Sequence, residues 1–211
     1  INGDDFVPYN DATFVKQPGM GGSVSWHQDG VTHWDSEEWD EGIHGFNFQV
    51  QLYRTTPRSC LWVVPGTHKL GKIDIKKRVE DNPEAERLPD AVPLHCQPGD
   101  VTIVNRQALH CSFANTSSDT RISLTFGFHR RKSILGATGA LSENAEVVYD
   151  EKRIHERSEV IGIAIDSRAQ YYPNESAYRY QPLAGHEASV VFNSENWNRI
   201  VKDYNLKDLS I

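Results

Sequence analysis

His27 and Asp29 are the residues with the clearest chemical potential, and they stand two positions apart in Ser25-Trp26-His27-Gln28-Asp29-Gly30. The surrounding sequence alternates like a β-strand, in which alternate side chains project to the same side. An imidazole nitrogen and a carboxylate oxygen on one side suit a divalent iron, and a second, remote histidine would complete a two-histidine, one-carboxylate facial triad. Taken alone, the triplet has an alternative interpretation as a strand end where polar residues reach the surface.

His110 is the predicted second histidine, within Leu109-His110-Cys111-Ser112-Phe113. It lies late in a series of short strands, where a jelly roll can bring it beside an early strand. Arg121 begins the next strand, and an antiparallel hairpin turning at 115–120 would return it to the neighbourhood of His110. A guanidinium there could hold a carboxylate bidentately. The alternatives are a core histidine at 110 and a solvated strand-start arginine at 121.

The elements that must position these residues are predicted to be mostly strands. They are expected at 13–17, 23–28, 46–53, 60–64, 92–96, 101–105, 109–114 and 121–128. Many short strands separated by turns every eight to twelve residues are typical of a β-sandwich or jelly roll. Helices are predicted after residue 131, around Ile154 to Ile165 and from Ser194 to Tyr204. We therefore expect a mainly β fold, a double-stranded β-helix (jelly roll) with flanking helices that are mostly C-terminal.

The domain organisation predicted from this pattern is a single domain over 1–211. Its jelly-roll core is expected at about 13–131, with a C-terminal extension at 132–211 packed outside the barrel. The chain opens with Ile1 and runs directly into strand-like sequence. An N-terminal segment of the natural protein is therefore expected to be missing.

Composition and charge exclude several classes of partner. The 211 residues carry a formal net charge of −7, which argues against a nucleic-acid surface and against an anionic membrane surface. No apolar run is long enough to span a bilayer, and the N-terminus lacks the order of a signal peptide. The three cysteines form no Cys-x-x-Cys pair, so neither a disulfide scaffold nor a structural zinc site is indicated. A cytoplasmic protein of unknown oligomeric state is the expectation.

The sequence resembles the phytanoyl-CoA dioxygenase family of iron(II)/2-oxoglutarate oxygenases. The resemblance covers roughly Ser23 to Phe128 in order and spacing. It is carried by His27-Gln28-Asp29, by Leu61-Trp62-Val63-Val64-Pro65-Gly66-Thr67-His68-Lys69, by Pro98-Gly99-Asp100 and by the stretch from His110 to Arg121.

This resemblance implies a set of site residues. It makes His27, Asp29 and His110 the iron ligands, and Arg121 the partner of the distal carboxylate of 2-oxoglutarate. Ser112 would hydrogen-bond that same carboxylate, and Phe48 would lie beside the cosubstrate. Gln28, the middle residue often found in the family motif, is also assigned to the cofactor-binding residues. Ser112 could instead be a strand hydroxyl bonded to backbone, and Phe48 could be a core residue.

The chemistry implied is oxidation of a small organic molecule. Three protein ligands leave three positions at iron, two for chelating 2-oxoglutarate and one for dioxygen. Decarboxylation of 2-oxoglutarate to succinate and CO2 would accompany hydroxylation of the substrate, and Asp29 favours hydroxylation over halogenation because related halogenating enzymes lack the carboxylate ligand. The alternatives are a cupin-like metalloenzyme without 2-oxoglutarate and a catalytically inactive jelly-roll binding module. The substrate stays open among acyl-CoAs, amino acids, phosphonates and secondary metabolites.

The segment from Val31 to Gly45 is predicted to form a loop at the rim of the active site, because it directly follows the iron-binding strand. It carries five acidic residues around Trp34 and Trp39. A substrate-steering lid that favours cationic or zwitterionic substrates is one interpretation. A solvated acidic loop is the other.

Overall fold

The computed structural model describes residues 4–20, 22–29, 44–142 and 145–208. Within these residues the strands are β1 (Phe6–Lys16), β2 (Val24–His27), β3 (Gly45–Gln51), β4 (Trp62–Val63), β5 (Val92–Pro93), β6 (Val101–Asn105), β7 (His110–Ser112), β8 (Arg121–Arg130), β9 (Thr138–Ser142) and β10 (Ala145–Val148). The α-helices are α1 (Ile75–Glu80), α2 (Arg131–Ile134), α3 (Glu151–Tyr171) and α4 (Ser194–Asp208). Short 3-10 helices occupy Thr67–Lys69, Gln181–Leu183 and Glu187–Val190.

The first eight strands form two four-stranded sheets. One sheet has the order β1-β8-β3-β6 and the other has the order β2-β7-β4-β5. In each sheet a late strand lies between two early ones, β8 between β1 and β3 and β7 between β2 and β4, which is typical of a jelly roll. The predicted mainly β jelly roll with flanking helices is therefore confirmed. The last two strands, β9 and β10, pair with each other as a separate antiparallel ribbon.

The chain divides into two compact units, one from residues 10–127 and the other from residues 1–9 together with 128–211. In the first unit, Val64, Leu88 and Leu109 form a buried cluster, with the partly buried Trp26 packed against it. The division at 127/128 lies close to the predicted start of the C-terminal extension. Whether the whole chain acts as one domain stays a prediction.

In the second unit, α3 is held by apolar side chains spaced along its length. Asp150 caps its N-terminus by accepting a hydrogen bond from the backbone N–H of Arg153, which satisfies one otherwise unpaired donor. Ile154 joins a cluster with Val7 and Tyr149, and further along α3 a second cluster forms around Ile163. Both helices predicted after residue 131 are present.

The structure departs from the predicted strands at several points. Strand β1 begins at Phe6 rather than Thr13. Asn10, Asp11 and Ala12 are weak strand formers, but they belong to this strand because β1 pairs with β8 in the sheet. The run from Cys60 to Val64 is buried at its ends, yet only Trp62–Val63 pairs as a strand. The predicted lid loop lies, apart from its last two residues, outside the described residues.

The turn after β4 positions the strand that carries His110. Gly66 has a φ of 82°, a conformation that suits glycine because it lacks Cβ. The buried Thr67 that follows donates its hydroxyl to the carbonyl of Val64 (2.6 Å) and accepts from the backbone N–H of Leu109 (2.8 Å). One hydroxyl thus joins β4 to the start of β7.

The described helices do not include one with the length and apolar character needed to cross a membrane.

Candidate active site

The structure brings the three predicted metal ligands together. His27, the last residue of β2, lies directly opposite His110, the first residue of β7, in an antiparallel pair. Their ring centroids are 4.1 Å apart. Nε2 of His27 lies 3.5 Å from one carboxylate oxygen of Asp29, and Nε2 of His110 lies 4.0 Å from the other. The candidate ligand atoms all lie within 4.8 Å of one another, so the group could hold one metal ion.

Backbone carbonyls select the same ring nitrogen on both histidines. Nδ1 of His27 is 2.7 Å from the carbonyl of Ser25, and Nδ1 of His110 is 2.8 Å from the carbonyl of Ala108. Since a carbonyl can only accept, each Nδ1 carries the hydrogen. In the neutral form of each imidazole, the lone pair is then on Nε2, which faces Asp29. This is the second-sphere arrangement that orients metal-binding histidines.

Two residues that the sequence analysis missed hold the Asp29 carboxylate. The amide of Asn47 donates to the carboxylate at 2.9 Å, and the guanidinium of Arg106 donates to the Asn47 side-chain oxygen at 2.7 Å. The backbone N–H of Asp29 donates to the carbonyl of Arg106 at 2.8 Å. Asn47 occupies a polar position of the alternating strand β3, which is the signal that could have identified it.

The electrostatics of the triad keep Asp29 ionised. Burial alone would raise the pKa of its carboxyl group, but the adjacent His27 and the charge of Arg106 hold that pKa well below its usual range. Burial lowers the pKa of His110, although Asp29 opposes this effect. At neutral pH the site therefore offers one anionic oxygen ligand and a buried imidazole that favours its neutral, metal-binding form.

A cavity of about 130 Å³ opens beside the triad, and all its lining residues belong to the unit formed by residues 10–127. His27, Asp29 and His110 line it together with Ser112 and Arg121. The cavity therefore joins the candidate metal ligands to the predicted carboxylate-binding arginine.

Arg121 is a buried cation with unsatisfied donors. It is 2% exposed, and its Nε and Nη1 have no hydrogen-bond partner among the described residues. Its Nη2 reaches only the hydroxyl of Ser123, at 3.5 Å. The thiols of Cys60 and Cys96 lie in its surroundings, but burial raises the pKa of both, so they stay neutral and do not balance its charge. A guanidinium left in this state calls for an anionic ligand.

Two predicted cosubstrate residues do not line this cavity. The side-chain amide of Gln28 donates to the carbonyls of Gly71 (3.0 Å) and Gln107 (2.8 Å), and its oxygen accepts from the backbone N–H of Ile73 (3.0 Å). The geometry thus gives Gln28 a scaffold role.

Phe48 packs against Phe46 with ring centroids 5.2 Å apart. Its neighbours Asn47 and Gln49 line the cavity instead. The assignment of Phe48 to the cosubstrate, like that of Gln28, is therefore not favoured by the geometry.

Comparison with known proteins gives a family and a fold. Residues 6–123 match the family model described as Phytanoyl-CoA dioxygenase (PhyH). Phytanoyl-CoA dioxygenase 1 of Oryza sativa subsp. japonica is 29% identical over 116 residues, and Phytanoyl-CoA dioxygenase of Arabidopsis thaliana is 30% identical over 114 residues. The matched regions cover 52% and 50% of this chain, but only 40% and 38% of those two proteins.

The fold is also found among solved structures. EctD from S. alaskensis, solved with 2-oxoglutarate and 5-hydroxyectoine, superposes with a TM-score of 0.50 at 22% identity. The likeness covers 63% of this chain and 47% of that one. At this identity it supports the jelly-roll fold alone.

Proposed function

The chain belongs to the phytanoyl-CoA dioxygenase (PhyH) family, and from this premise we propose that it is an iron(II)/2-oxoglutarate-dependent dioxygenase. It would hydroxylate or otherwise oxidise a small organic molecule, with dioxygen as the oxidant and succinate and CO2 as the products of 2-oxoglutarate. The observation that carries the proposal is the pairing, in one cavity, of a His-Asp-His group with a buried arginine that lacks an anionic partner.

The donor set fits iron(II). Two imidazole nitrogens and one carboxylate oxygen converge, and this combination with open positions is typical of non-haem iron(II) oxygenases. His27, Asp29 and His110 would hold the metal, with both Nδ1–H groups already bonded to backbone carbonyls. A four-ligand structural zinc site would need another histidine or cysteine, and the group found among the described residues has three members.

The second half of the cavity fits the cosubstrate. Arg121 would bind the distal carboxylate of 2-oxoglutarate through the two donor atoms that lack partners, and Ser112 would add a hydroxyl donor. When bound, iron and 2-oxoglutarate supply the oxidative decarboxylation that drives substrate oxidation. The protein's own residues bind and orient these groups and limit access of water to the cavity.

The buried arginine and the metal ligands each separate this proposal from one of its alternatives. A cupin-like metalloenzyme would use the metal ligands but would have no need for Arg121. A binding module without turnover would have no need for intact metal ligands.

The test begins with anaerobic titration of the iron(II)-loaded protein with 2-oxoglutarate. We expect a visible metal-to-ligand charge-transfer band that saturates at one equivalent, because chelation at iron requires both the triad and open positions. Iron binding without such a band would support the alternative of a cupin-like metalloenzyme. Succinate formation across a panel of acyl-CoAs, amino acids, phosphonates and secondary metabolites would then identify the substrate, and its absence even in the uncoupled background would support the binding module.

A further inference from the structure

Lys16, the last residue of β1, is a buried lysine that the proposed mechanism has not used. It is 5% exposed. Its ammonium nitrogen lies 2.7 Å from the hydroxyl oxygen of Ser112, 3.1 Å from the carbonyl oxygens of Ser112 and Gly22, and 2.8 Å from the carbonyl oxygen of Phe113. Its three N–H groups are therefore shared among four acceptors. All four acceptors are uncharged, and none of the ion pairs between described residues includes Lys16.

Lys16 and Arg121 place two buried cations near one part of the cavity. Burial and the nearby charge of Arg121 lower the pKa of Lys16 to about 8. Each cation raises the cost of burying the other, since a buried charge is stable only when it is paired and hydrogen-bonded. An anion that binds between the Ser112 hydroxyl and Arg121 would reduce this cost for both.

The contact with Lys16 also fixes what the Ser112 hydroxyl can do. An ammonium group has three donors and no acceptor, so the Ser112 oxygen must accept in this contact. The single hydroxyl hydrogen is then available to a different group. This hydroxyl hydrogen has no acceptor among the described residues. Ser112 lines the cavity together with Arg121.

We propose that Lys16 is a positioning residue for the cosubstrate: by holding the Ser112 oxygen, it directs the Ser112 O–H into the cavity beside Arg121, where both bind the same carboxylate. The inference rests on the proposed function, because the carboxylate is the distal group of 2-oxoglutarate. It assigns to Lys16 an effect on one end of the cosubstrate, exerted through Ser112.

A merely structural lysine would behave differently. The same contacts join the end of β1 to the end of β7 and to the backbone at Gly22. If that were their only role, losing them would lower the stability of the protein and weaken every ligand of the cavity alike. A positioning role predicts a loss confined to ligands that carry the distal carboxylate.

The experiment compares 2-oxoglutarate with 2-oxovalerate, which has a methyl group in place of the distal carboxylate, by anaerobic titration of the iron(II)-loaded protein. Lys16→Met should weaken 2-oxoglutarate about 10- to 100-fold, the range for a lost hydrogen bond to a charged group, and leave 2-oxovalerate within about twofold. Lys76→Met, which removes an exposed lysine of α1 (side chain 85% exposed), is the control and should change neither.

A double-mutant cycle tests the route through Ser112. Ser112→Ala should weaken 2-oxoglutarate to a similar degree, and adding Lys16→Met to it should cost little more. In steady-state assays, both single variants should raise the KM for 2-oxoglutarate far more than they lower kcat. If Lys16→Met fails to fold, Ser112→Ala can still overturn the inference, since the inference requires that variant to weaken 2-oxoglutarate and spare 2-oxovalerate.

Three outcomes would overturn the inference while leaving the proposed function intact. They are unchanged 2-oxoglutarate affinity in Lys16→Met or Ser112→Ala, an equal loss for both keto acids, and losses that multiply in the double variant. A wild-type protein that binds iron but shows no band with 2-oxoglutarate would instead overturn the proposed function, and the inference with it.

Discussion

The two ends of the cavity are built on opposite principles. At the end with the three candidate metal ligands (the metal end), the Asp29 carboxylate is matched by the Asn47 amide and the charge of Arg106. The Nδ1 groups of both histidines there are bonded to backbone carbonyls. At the other end, Arg121 keeps two unsatisfied donor atoms and lies near a second buried cation, Lys16. Charge is balanced at the first end and unbalanced at the second.

This difference separates a preorganised site from one that a ligand completes. Ligands held by a second sphere can accept a metal with little rearrangement. A buried cation without an anion lowers the stability of the free protein and strengthens the binding of whatever supplies the negative charge. This contrast predicts that variants at the metal end will change iron(II) affinity and that variants at the Arg121 end will change 2-oxoglutarate affinity.

The largest effect is expected at the metal end. His27→Ala removes one of three ligands and should weaken iron(II) by more than about 100-fold, beyond the roughly 10- to 100-fold typical of residues that only orient a ligand. Competition with a coloured chelator would measure it. His155→Ala, which removes a histidine of α3, is the matched control. Unchanged iron affinity in the His27 variant would remove His27 from the triad.

Arg121→Met should affect the other end. Truncating a buried charge pair costs about 2 to 5 kcal/mol, so 2-oxoglutarate should bind roughly 30- to 3,000-fold more weakly, while iron affinity hardly changes. Titration of the charge-transfer band would measure the loss. An unchanged affinity for 2-oxoglutarate would mean that another cation binds its distal carboxylate.

The melting temperature of Arg121→Met gives a second test of the contrast between the two ends. Because Arg121 is an unpaired buried cation, the ligand-free Arg121→Met protein should melt no lower than wild type. Added 2-oxoglutarate should stabilise the iron-loaded wild type and not the variant. A lower melting temperature of the ligand-free variant would show that Arg121 already has compensating interactions.

Asn47→Ala should have a smaller effect than loss of a metal ligand. Without its amide, the Asp29 carboxylate loses one of the groups that orient it, and iron affinity should fall by about 10- to 100-fold. Asn82→Ala, in the segment after α1, is the control. Equal iron affinity in wild type and Asn47→Ala would show that Arg106 alone is sufficient to hold Asp29.

The smallest effect concerns pH. Lys16 has a pKa of about 8 in the free protein, and a bound carboxylate would raise it. Below about pH 8 the lysine is protonated with and without ligand, whereas above this value binding takes up a proton, so 2-oxoglutarate affinity should fall by up to about tenfold per pH unit.

The neighbouring groups should not produce this pH dependence. Arg121 stays charged, and burial raises the pKa of Cys111 to about 12 and that of Cys60 to about 11. Titrations of the iron-loaded protein from about pH 7 to about pH 9 would measure the slope. Lys16→Met should abolish it, and a slope retained in that variant would assign it to another group.

The sequence predicted the members of the site whose residue types define the chemistry. His27, Asp29, His110 and Arg121 have types and an order along the chain that only a few folds combine. The structure brings all four to one cavity. The fold was predictable because eight short strand-like segments separated by turns are typical of a jelly roll or a β-sandwich.

Residues that only support the site could not be predicted in the same way. Asn47, Arg106 and Lys16 are ordinary polar residues whose roles depend on partners far along the chain, at separations of 18, 59 and 96 residues. The alternation of β3 was visible, but its orientation was not. Apolar side chains usually mark the inward face, whereas here the buried Gln49 and Gln51 are on the inward face.

The contacts of Gln28 show that the site depends on segments far apart in the sequence. Its amide joins backbone groups 43, 45 and 79 residues further along the chain. On the ribosome, His27 and Asp29 emerge long before His110, so the nascent chain can offer two of the three ligands but not the third. Closing such long loops is slow compared with local structure, and metal affinity appears only with the completed fold. If the proposed function is correct, iron would therefore bind only after the whole jelly roll has been synthesised and folded.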